Sequence, residues 1–355
     1  MRIAQLAPLA ETVPPKHYGG TERVVSWLTE ELVSIGHDVT LFASAGSRTK
    51  GRLIPVWPSA TRLSRHRTDP CAAVAPLLEA VAERVAEFDI IHAHTDWVHL
   101  PVLRRLDVPF VTTLHGRLDL PYLRTTVASF PDAPFVSISN NQRKPLPEAN
   151  WVGTVYHGLP PKLLEPRFQP ERRLAFLGRI SPEKGPDIAI RLARAARIPL
   201  RIAAKLPRED NRFYATKVQP FVDGREIQFI GEVDDSGKAE LLGQATALLF
   251  PIQWPEPFGL VMIEAMACGT PVIAWRQGSV PEIIQDGVTG FVVDSEEAAL
   301  SAIRRVNQLD RSRIRSEFER RFTARNMALE YAKTYDNIIS REQGGGLQRL
   351  SIAAE

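Results

Sequence analysis

Glu256 and Glu264 stand eight positions apart in Pro255-Glu256-Pro257-Phe258-Gly259-Leu260-Val261-Met262-Ile263-Glu264-Ala265. An apolar strand-like run, Ala247–Pro251, precedes them, and a turn-and-strand pattern, Cys268–Ile273, follows. Pro257 disfavours helix at Glu256. A helix is therefore predicted from Phe258 or Gly259 to about Ala267, with Glu256 in the loop before it and Glu264 inside it. Eight helical residues rise about 12 Å, close to the reach from a sugar ring across a diphosphate to a ribose. Amides near Phe258, Gly259 and Leu260 would have no intrahelical acceptor and would suit phosphate oxygens. A carboxylate beside a diphosphate is repelled, so each glutamate is expected to face neutral hydroxyls. The same spacing also fits an ordinary amphipathic helix behind a surface loop.

Three further places carry chemistry. In Phe176-Leu177-Gly178-Arg179-Ile180-Ser181-Pro182-Glu183-Lys184-Gly185, a strand pattern ends in Gly and Arg, and Lys184 sits where a helix starts. A cation at a helix N-terminus opposes the dipole. The conflict resolves if an anion sits there, with Arg179 as a fork and Lys184 as a point charge; two surface cations are the other reading. Gly19 and Gly20, in Tyr18-Gly19-Gly20-Thr21, would let backbone amides approach a phosphate or simply make a turn. His115 follows Phe110–Leu114 at a strand's C-terminal end, the edge that faces the ligand crevice in open α/β sheets. His92 and His94 share another strand end. Lacking an evident third ligand, they read as hydrogen-bonded rather than metal-binding. Ser139, Asn140, His157 and Gly158 also follow strand-like segments.

The elements that must position these residues alternate. Strand patterns at Arg2–Ala7, Asp38–Ala43, Asp89–Ala93, Phe110–Leu114 and Phe135–Ile138 interleave with helix patterns at Thr21–Ile35, Cys71–Glu87 and Val98–Leu106. After Pro160-Pro161, Pro166 and Pro170 the pattern restarts. Strands are then expected at Leu174–Leu177, Leu200–Ala204, Ile227–Ile230, Ala247–Phe250 and Val272–Ala274, with a helix at Lys184–Arg197. This predicts an α/β chain of two Rossmann-like, doubly wound domains, 1–165 and 166–322, with ligand bound in the cleft between them. A last helix, 323–340, and a mobile tail, 341–355, complete the reading.

Composition narrows the classes. A chain of 355 residues with 44% hydrophobic content suits about two globular domains. The net charge of +3 is spread over both halves, which argues against nucleic acid as a partner. Cys71 and Cys268 form no CxxC pattern, so reduced cytoplasmic thiols are expected. No apolar run is long enough to span a membrane, and Met1–Ala7 is too short an apolar run for a signal peptide. Between Ser47 and Thr68 lie Arg48, Lys50, Arg52, Arg62, Arg65 and Arg67 without an acid. That segment reads as a solvated loop; the alternative is a patch for an anionic acceptor or for the inner face of a membrane.

Together these residues resemble retaining glycosyltransferase family 4, also called glycosyl transferase group 1, over approximately residues 1–340. Glu256–Glu264 is similar to its Glu-x7-Glu motif, Gly178–Gly185 to its phosphate-binding element, and Gly19-Gly20 to its flexible N-terminal loop. Gly278-Ser279-Val280-Pro281-Glu282 resembles the segment after its last nucleotide-side strand. His157-Gly158-Leu159-Pro160 departs from the Asn-Gly turn of many members. The resemblance implies the GT-B architecture, with the last helix returning to the first domain, and hexosyl transfer from a nucleotide diphosphate sugar. UDP-glucose and GDP-mannose are the leading donors; the acceptor is a sugar, a lipid-linked sugar or a small molecule. Arg179 and Lys184 would neutralise the diphosphate and Glu264 would hold the ribose hydroxyls. Glu256 would contact the hexose, and Phe258, Gly259 and Leu260 would orient sugar or phosphate through their amides. Gly19 and Gly20 would close over the diphosphate, with His115 near the transferred sugar. No metal or other cofactor is required on this reading, and no DxD motif is present; the nucleotide sugar is a co-substrate. A nucleotide-sugar epimerase of the same architecture and a binding protein without turnover are the competing readings.

Overall fold

A computed structural model describes residues 1–16, 19–64 and 69–352, with the backbone alone at Leu63 and 343–352. Tyr18, Arg65, Arg67 and the last three residues of the expected tail lie outside the described residues. The chain forms two units. The first holds Met1–Ile138, Arg143–Tyr156 and the segment from Ala324 onward; the second holds Ser139–Gln142 and His157–Thr323.

The first unit is built on seven parallel strands: β1 (Arg2–Leu6), β2 (Asp38–Ser44), β3 (Arg52–Trp57), β4 (Ile90–Ala93), β5 (Phe110–Thr113), β6 (Phe135–Ser137) and β7 (Trp151–Thr154). Their order is β3-β2-β1-β4-β5-β6-β7. β4, β5 and β6 are buried along their whole length. Covered on both faces, they read in the sequence as continuous runs rather than as alternation. The helices are α1 (Gly20–Ser34), α2 (Pro70–Ala82), α3 (Leu100–Leu103) and α4 (Pro121–Ala128).

The second unit repeats the plan with six parallel strands. These are β8 (Leu174–Arg179), β9 (Leu200–Lys205), β10 (Ile227–Gly231), β11 (Ala247–Phe250), β12 (Val272–Trp275) and β13 (Gly290–Val293), in the order β10-β9-β8-β11-β12-β13. Its helices are α5 (Pro186–Ala196), α6 (Asn211–Phe213), α7 (Asp235–Gln244), α8 (Leu260–Ala267), α9 (Val280–Ile283), α10 (Glu296–Arg305) and α11 (Arg311–Arg321). In each sheet the order reverses once, between β1 and β4 and between β8 and β11. A doubly wound sheet collects its ligands at the strand C-termini beside such a reversal.

α12 (Ala324–Ile352) belongs to the first unit and packs along α1. Met327, Ala328, Tyr331, Tyr335 and Ile338 are buried at helical spacing.

Several boundaries differ from those read in the sequence. Leu159 and Leu164 belong with the second unit, not the first. The Leu159 amide donates to Phe322 O at 3.0 Å, and Arg315 donates to Pro161 O at 2.7 Å and Leu164 O at 2.8 Å. α12 runs past Gly344-Gly345-Gly346 to Ile352 rather than ending at 340. Glycine lowers helix stability by about 1 kcal/mol per residue without forbidding the helix. The basic segment is not simply a solvated loop, because Arg52–Trp57 is the edge strand β3, paired with β2. Ile54, Val56 and Trp57 pack on the core of the unit, so the apolar residues between the cations set the structure. Arg52 bonds Glu87 and Arg62 bonds Glu11. Among the described residues no helix is long and apolar enough to cross a membrane.

Candidate functional site

The second unit brings the expected donor-side residues together at the reversal between β8 and β11. Arg179 ends β8, and Pro182–Lys184 form a single 3-10 turn before α5. Gly185 then adopts φ 67°. A Cβ there would collide with the Pro251 carbonyl, so glycine lets this turn press on the segment that follows β11. The Gln253 amide donates to Glu183 O at 2.8 Å and closes the contact.

Lys184 is thereby delivered to Glu256. Its ammonium lies 2.5 Å from Glu256 Oε2 and 5.2 Å from the centre of the Trp254 ring. Both side chains are largely buried, at 18% and 12% exposure. The Glu256 backbone is fixed independently: Ser279 N donates to its carbonyl at 2.9 Å. Gly278, at φ 55°, approaches so closely that a Cβ would collide with Glu256 N and O. Arg179 donates to Glu183 through Nη2, while its buried Nε has no hydrogen-bond partner. Buried donors are nearly always paired, and among the described residues this guanidinium N–H at the sheet reversal has no partner.

Gly259 caps α8 at φ 79°, and the helix begins at Leu260, two residues later than its earliest expected start. Leu260 and Val261 are in the first turn, where amides lack intrahelical acceptors. Phe258 contributes backbone only. Its ring is buried against His157 and Phe322, and its carbonyl accepts from Ser279 Oγ at 2.8 Å. The Gly269 and Thr270 amides return to Met266 O and Ala265 O and end the helix. Arg315 donates to Ala267 O at 2.6 Å, where a cation suits the dipole.

Glu264 lies on this buried helix. Its carboxylate is 2.5 Å from the ammonium of Lys238 on α7, and its side chain is 6% exposed. Lys238 escaped the sequence reading. It sits 26 positions away on another helix, and no spacing rule links the two. Trp254 was missed as well, although its place two residues before Glu256 was a usable signal.

The segment Gly278–Glu282 has a clear task. The Glu282 carboxylate accepts from the Asn140 and Asn141 amides at 2.8 and 2.7 Å, holding Ser139–Gln142 in the second unit. Ser139 is fully buried, its Oγ accepting from Gln142 N at 3.1 Å.

Gly19, Gly20 and His115 belong to the first unit. Gly19 precedes α1, Gly20 opens it, and a Cβ on Gly19 would crowd Pro15 and Glu22. Burial raises the carboxyl pKa of Glu22. His115 Nε2 lies 2.9 Å from His94 Nδ1, and burial pushes its pKa down to about 3. His92 bonds Tyr335 Oη and Thr113 Oγ1, both at 2.7 Å, and His94 Nε2 bonds Gln5 Oε1 at 2.7 Å. His92 on β4 and His94 just after it are thus hydrogen-bonded, as expected of a pair without an evident third ligand. Among the described residues no group of three His, Cys, Asp or Glu side chains could hold a metal.

Residues 165–326 match the family model described as glycosyl transferases group 1, and residues 18–138 match that of glycosyltransferase family 4. The chain belongs to glycosyltransferase family 4. It is a glycosyltransferase with the GT-B fold. It is 26% identical to a phosphatidyl-myo-inositol mannosyltransferase of Mycolicibacterium smegmatis, over 92% of this chain and 89% of the relative. A D-inositol 3-phosphate glycosyltransferase of Mycolicibacterium vanbaalenii is 26% identical over 79% and 75%. Among solved structures, AviGT4, a glycosyltransferase of avilamycin A biosynthesis, superposes with a TM-score of 0.73 at 23% identity, covering 96% and 98%. Anabaena HepE in complex with UDP-glucose superposes at 0.70 with 19% identity, covering 95% and 100%.

Proposed function

We propose that this glycosyltransferase moves a hexose from a nucleotide diphosphate sugar of the UDP-glucose or GDP-mannose type to a sugar, lipid-linked or small-molecule acceptor, with retention and without a metal ion. The observation that carries the reading is the pairing at the β8–β11 reversal. Arg179 ends β8, Lys184 is paired with Glu256 on the segment that leads into a buried helix, and among the described residues the Arg179 Nε–H has no partner. Fixed cations of this kind favour a leaving diphosphate over the bound ground state, because charge grows on it as the glycosidic bond breaks. The leaving phosphate then takes the acceptor's proton as the acceptor attacks the same face of the sugar.

Lys184 has three N–H donors. One can stay on Glu256 while another reaches a phosphate oxygen, tying the carboxylate that grips the hexose to the leaving group. Glu264, already ion-paired with Lys238, keeps lone pairs for the ribose hydroxyls. A relative acting as a mannosyltransferase and a structural neighbour holding UDP-glucose support the two donor candidates.

Nuclear magnetic resonance of UDP-glucose and GDP-mannose in the presence of EDTA tests the reading. The expected result is metal-independent release of UDP or GDP, with the freed or transferred sugar first appearing in the anomeric form of the donor. A sugar that epimerises while still attached to the nucleotide would establish the epimerase instead. Donors left intact in the presence of a panel of sugar and lipid-linked acceptors, with one of them still bound, would establish a binding protein.

A further inference from the structure

We propose that Gln5 and His94 are positioning residues that fix the tautomer of His115, leaving its Nδ1 as a hydrogen-bond acceptor. The inference builds on the placing of His115 at the transferred sugar. It begins with Gln5 on β1, whose Nε2 faces Tyr335 Oη at 3.2 Å and His92 Nδ1 at 3.5 Å. That leaves Gln5 Oε1 facing His94 Nε2 at 2.7 Å. A carbonyl oxygen only accepts, so His94 Nε2 carries the hydrogen. His94 is 2% exposed and burial disfavours the charged ring; a neutral imidazole has one N–H, so His94 Nδ1 is bare. It faces His115 Nε2 at 2.9 Å, so His115 Nε2–H donates to it. His115 is uncharged at any working pH, since burial holds its pKa far below the usual range; its Nδ1 is therefore the bare nitrogen.

The arrangement is rigid. Gln5 is fully buried and His94 is 2% exposed. Tyr335 in turn donates to or accepts from His92 Nδ1 at 2.7 Å, and the His92 and His94 rings lie 4.0 Å apart. The proton order of the whole row is thus set by one amide. A second-sphere partner that fixes a histidine tautomer decides what the other nitrogen can do. Here it makes His115 an acceptor for a sugar or acceptor hydroxyl and denies it the role of an N–H donor to the same oxygen.

Long-range proton–nitrogen spectra of the 15N-histidine-labelled protein read the tautomers directly. The wild type is expected to show His115 protonated at Nε2. Gln5→Leu should shift His115 toward a mixture of tautomers and lower turnover of UDP-glucose or GDP-mannose about tenfold, with KM within twofold. His94→Asn, whose Oδ1 takes the place of Nδ1 and can accept from His115 Nε2–H, should keep the wild-type tautomer and most of the turnover. A wild-type His115 protonated at Nδ1, or a tautomer unmoved in Gln5→Leu, overturns the proposal; so does a shifted tautomer with unchanged turnover. The function reading fails separately: if the spectra follow the expectation but neither donor is consumed by the wild type, the tautomer lock stands and the activity does not.

Discussion

Lys184→Ala is expected to lower turnover about 100- to 1000-fold, the loss seen when one fixed donor to a developing oxyanion is removed. The ammonium bridges two needs. It neutralises Glu256, whose side chain is 12% exposed, and in the proposed reaction it would offer a positive charge to the leaving group. Without it, a nearly buried carboxylate would face a ligand carrying phosphate charge. Lys184→Arg should recover little. The planar guanidinium fork is larger than an ammonium and does not replace it as a point charge, and the site is confined by Trp254 and by the tight turn at Gly185. Steady-state rates at saturating donor, alongside melting temperatures, check this. The Glu256 backbone is held by Ser279 whatever its side-chain partner is, so the fold should persist. A variant retaining more than about a tenth of wild-type turnover would make the Lys184–Glu256 pair a structural contact rather than part of the transferring machinery.

The second large effect is on stability. Burial lowers the pKa of His99 and His115 to about 3 and drives that of His92 well below its ordinary value near 6.5. All three stay neutral in the folded chain: His99 is bonded to Thr95 and Thr112, His92 to Thr113 and Tyr335. Unfolded, they take up protons below about pH 6.5. The folded pKa values are depressed, so the unfolded state binds more protons in the interval between the folded and unfolded values. Stability is therefore fully present above pH 6.5 and falls as pH drops toward 3. By pH 5 His99 and His115 should each remove about 2 kcal/mol, and His92 acts in the same direction. Asp89, Asp119 and Asp132, each held low by an arginine, act in a more acidic window below their ordinary value of 3.8 and are separable. Denaturant midpoints should fall slightly from pH 7.5 to 6.5 and steeply below. His99→Asn should make that slope shallower. Stability independent of pH between 7.5 and 5 would show that the histidines are not held neutral.

Much of this was legible in the chain because physics repeats itself there. Parallel strands covered on both faces announce themselves as short apolar runs, which located β1, β2 and β4 through β6 and their counterparts from β8 to β12. The cluster at the β8–β11 reversal was legible because each of its parts is local: a Pro before a Gly-capped helix, a cation where the dipole disfavours one. What stayed hidden depends on partners distant in sequence. β3 was masked by the arginines around it, although its apolar residues decide its place. Lys238 reaches Glu264 only through the packing of α7 on α8. His92 and His94 were visible as a pair, yet what they do is set by Gln5, 87 and 89 positions away, and by Tyr331 and Tyr335 from the far end of the chain.

Calorimetric titration of UDP and GDP into the protein in EDTA tests the donor-site assignment most directly, using the wild type, Glu264→Gln and Glu256→Gln. The account predicts that one of the two nucleotides binds the wild type without metal. It predicts that Glu264→Gln weakens this binding about tenfold, as loss of a charged hydrogen-bond acceptor should, and that Glu256→Gln changes it less than twofold while lowering turnover. Equal loss of nucleotide affinity in both variants, or no binding of either nucleotide by the wild type, would contradict it.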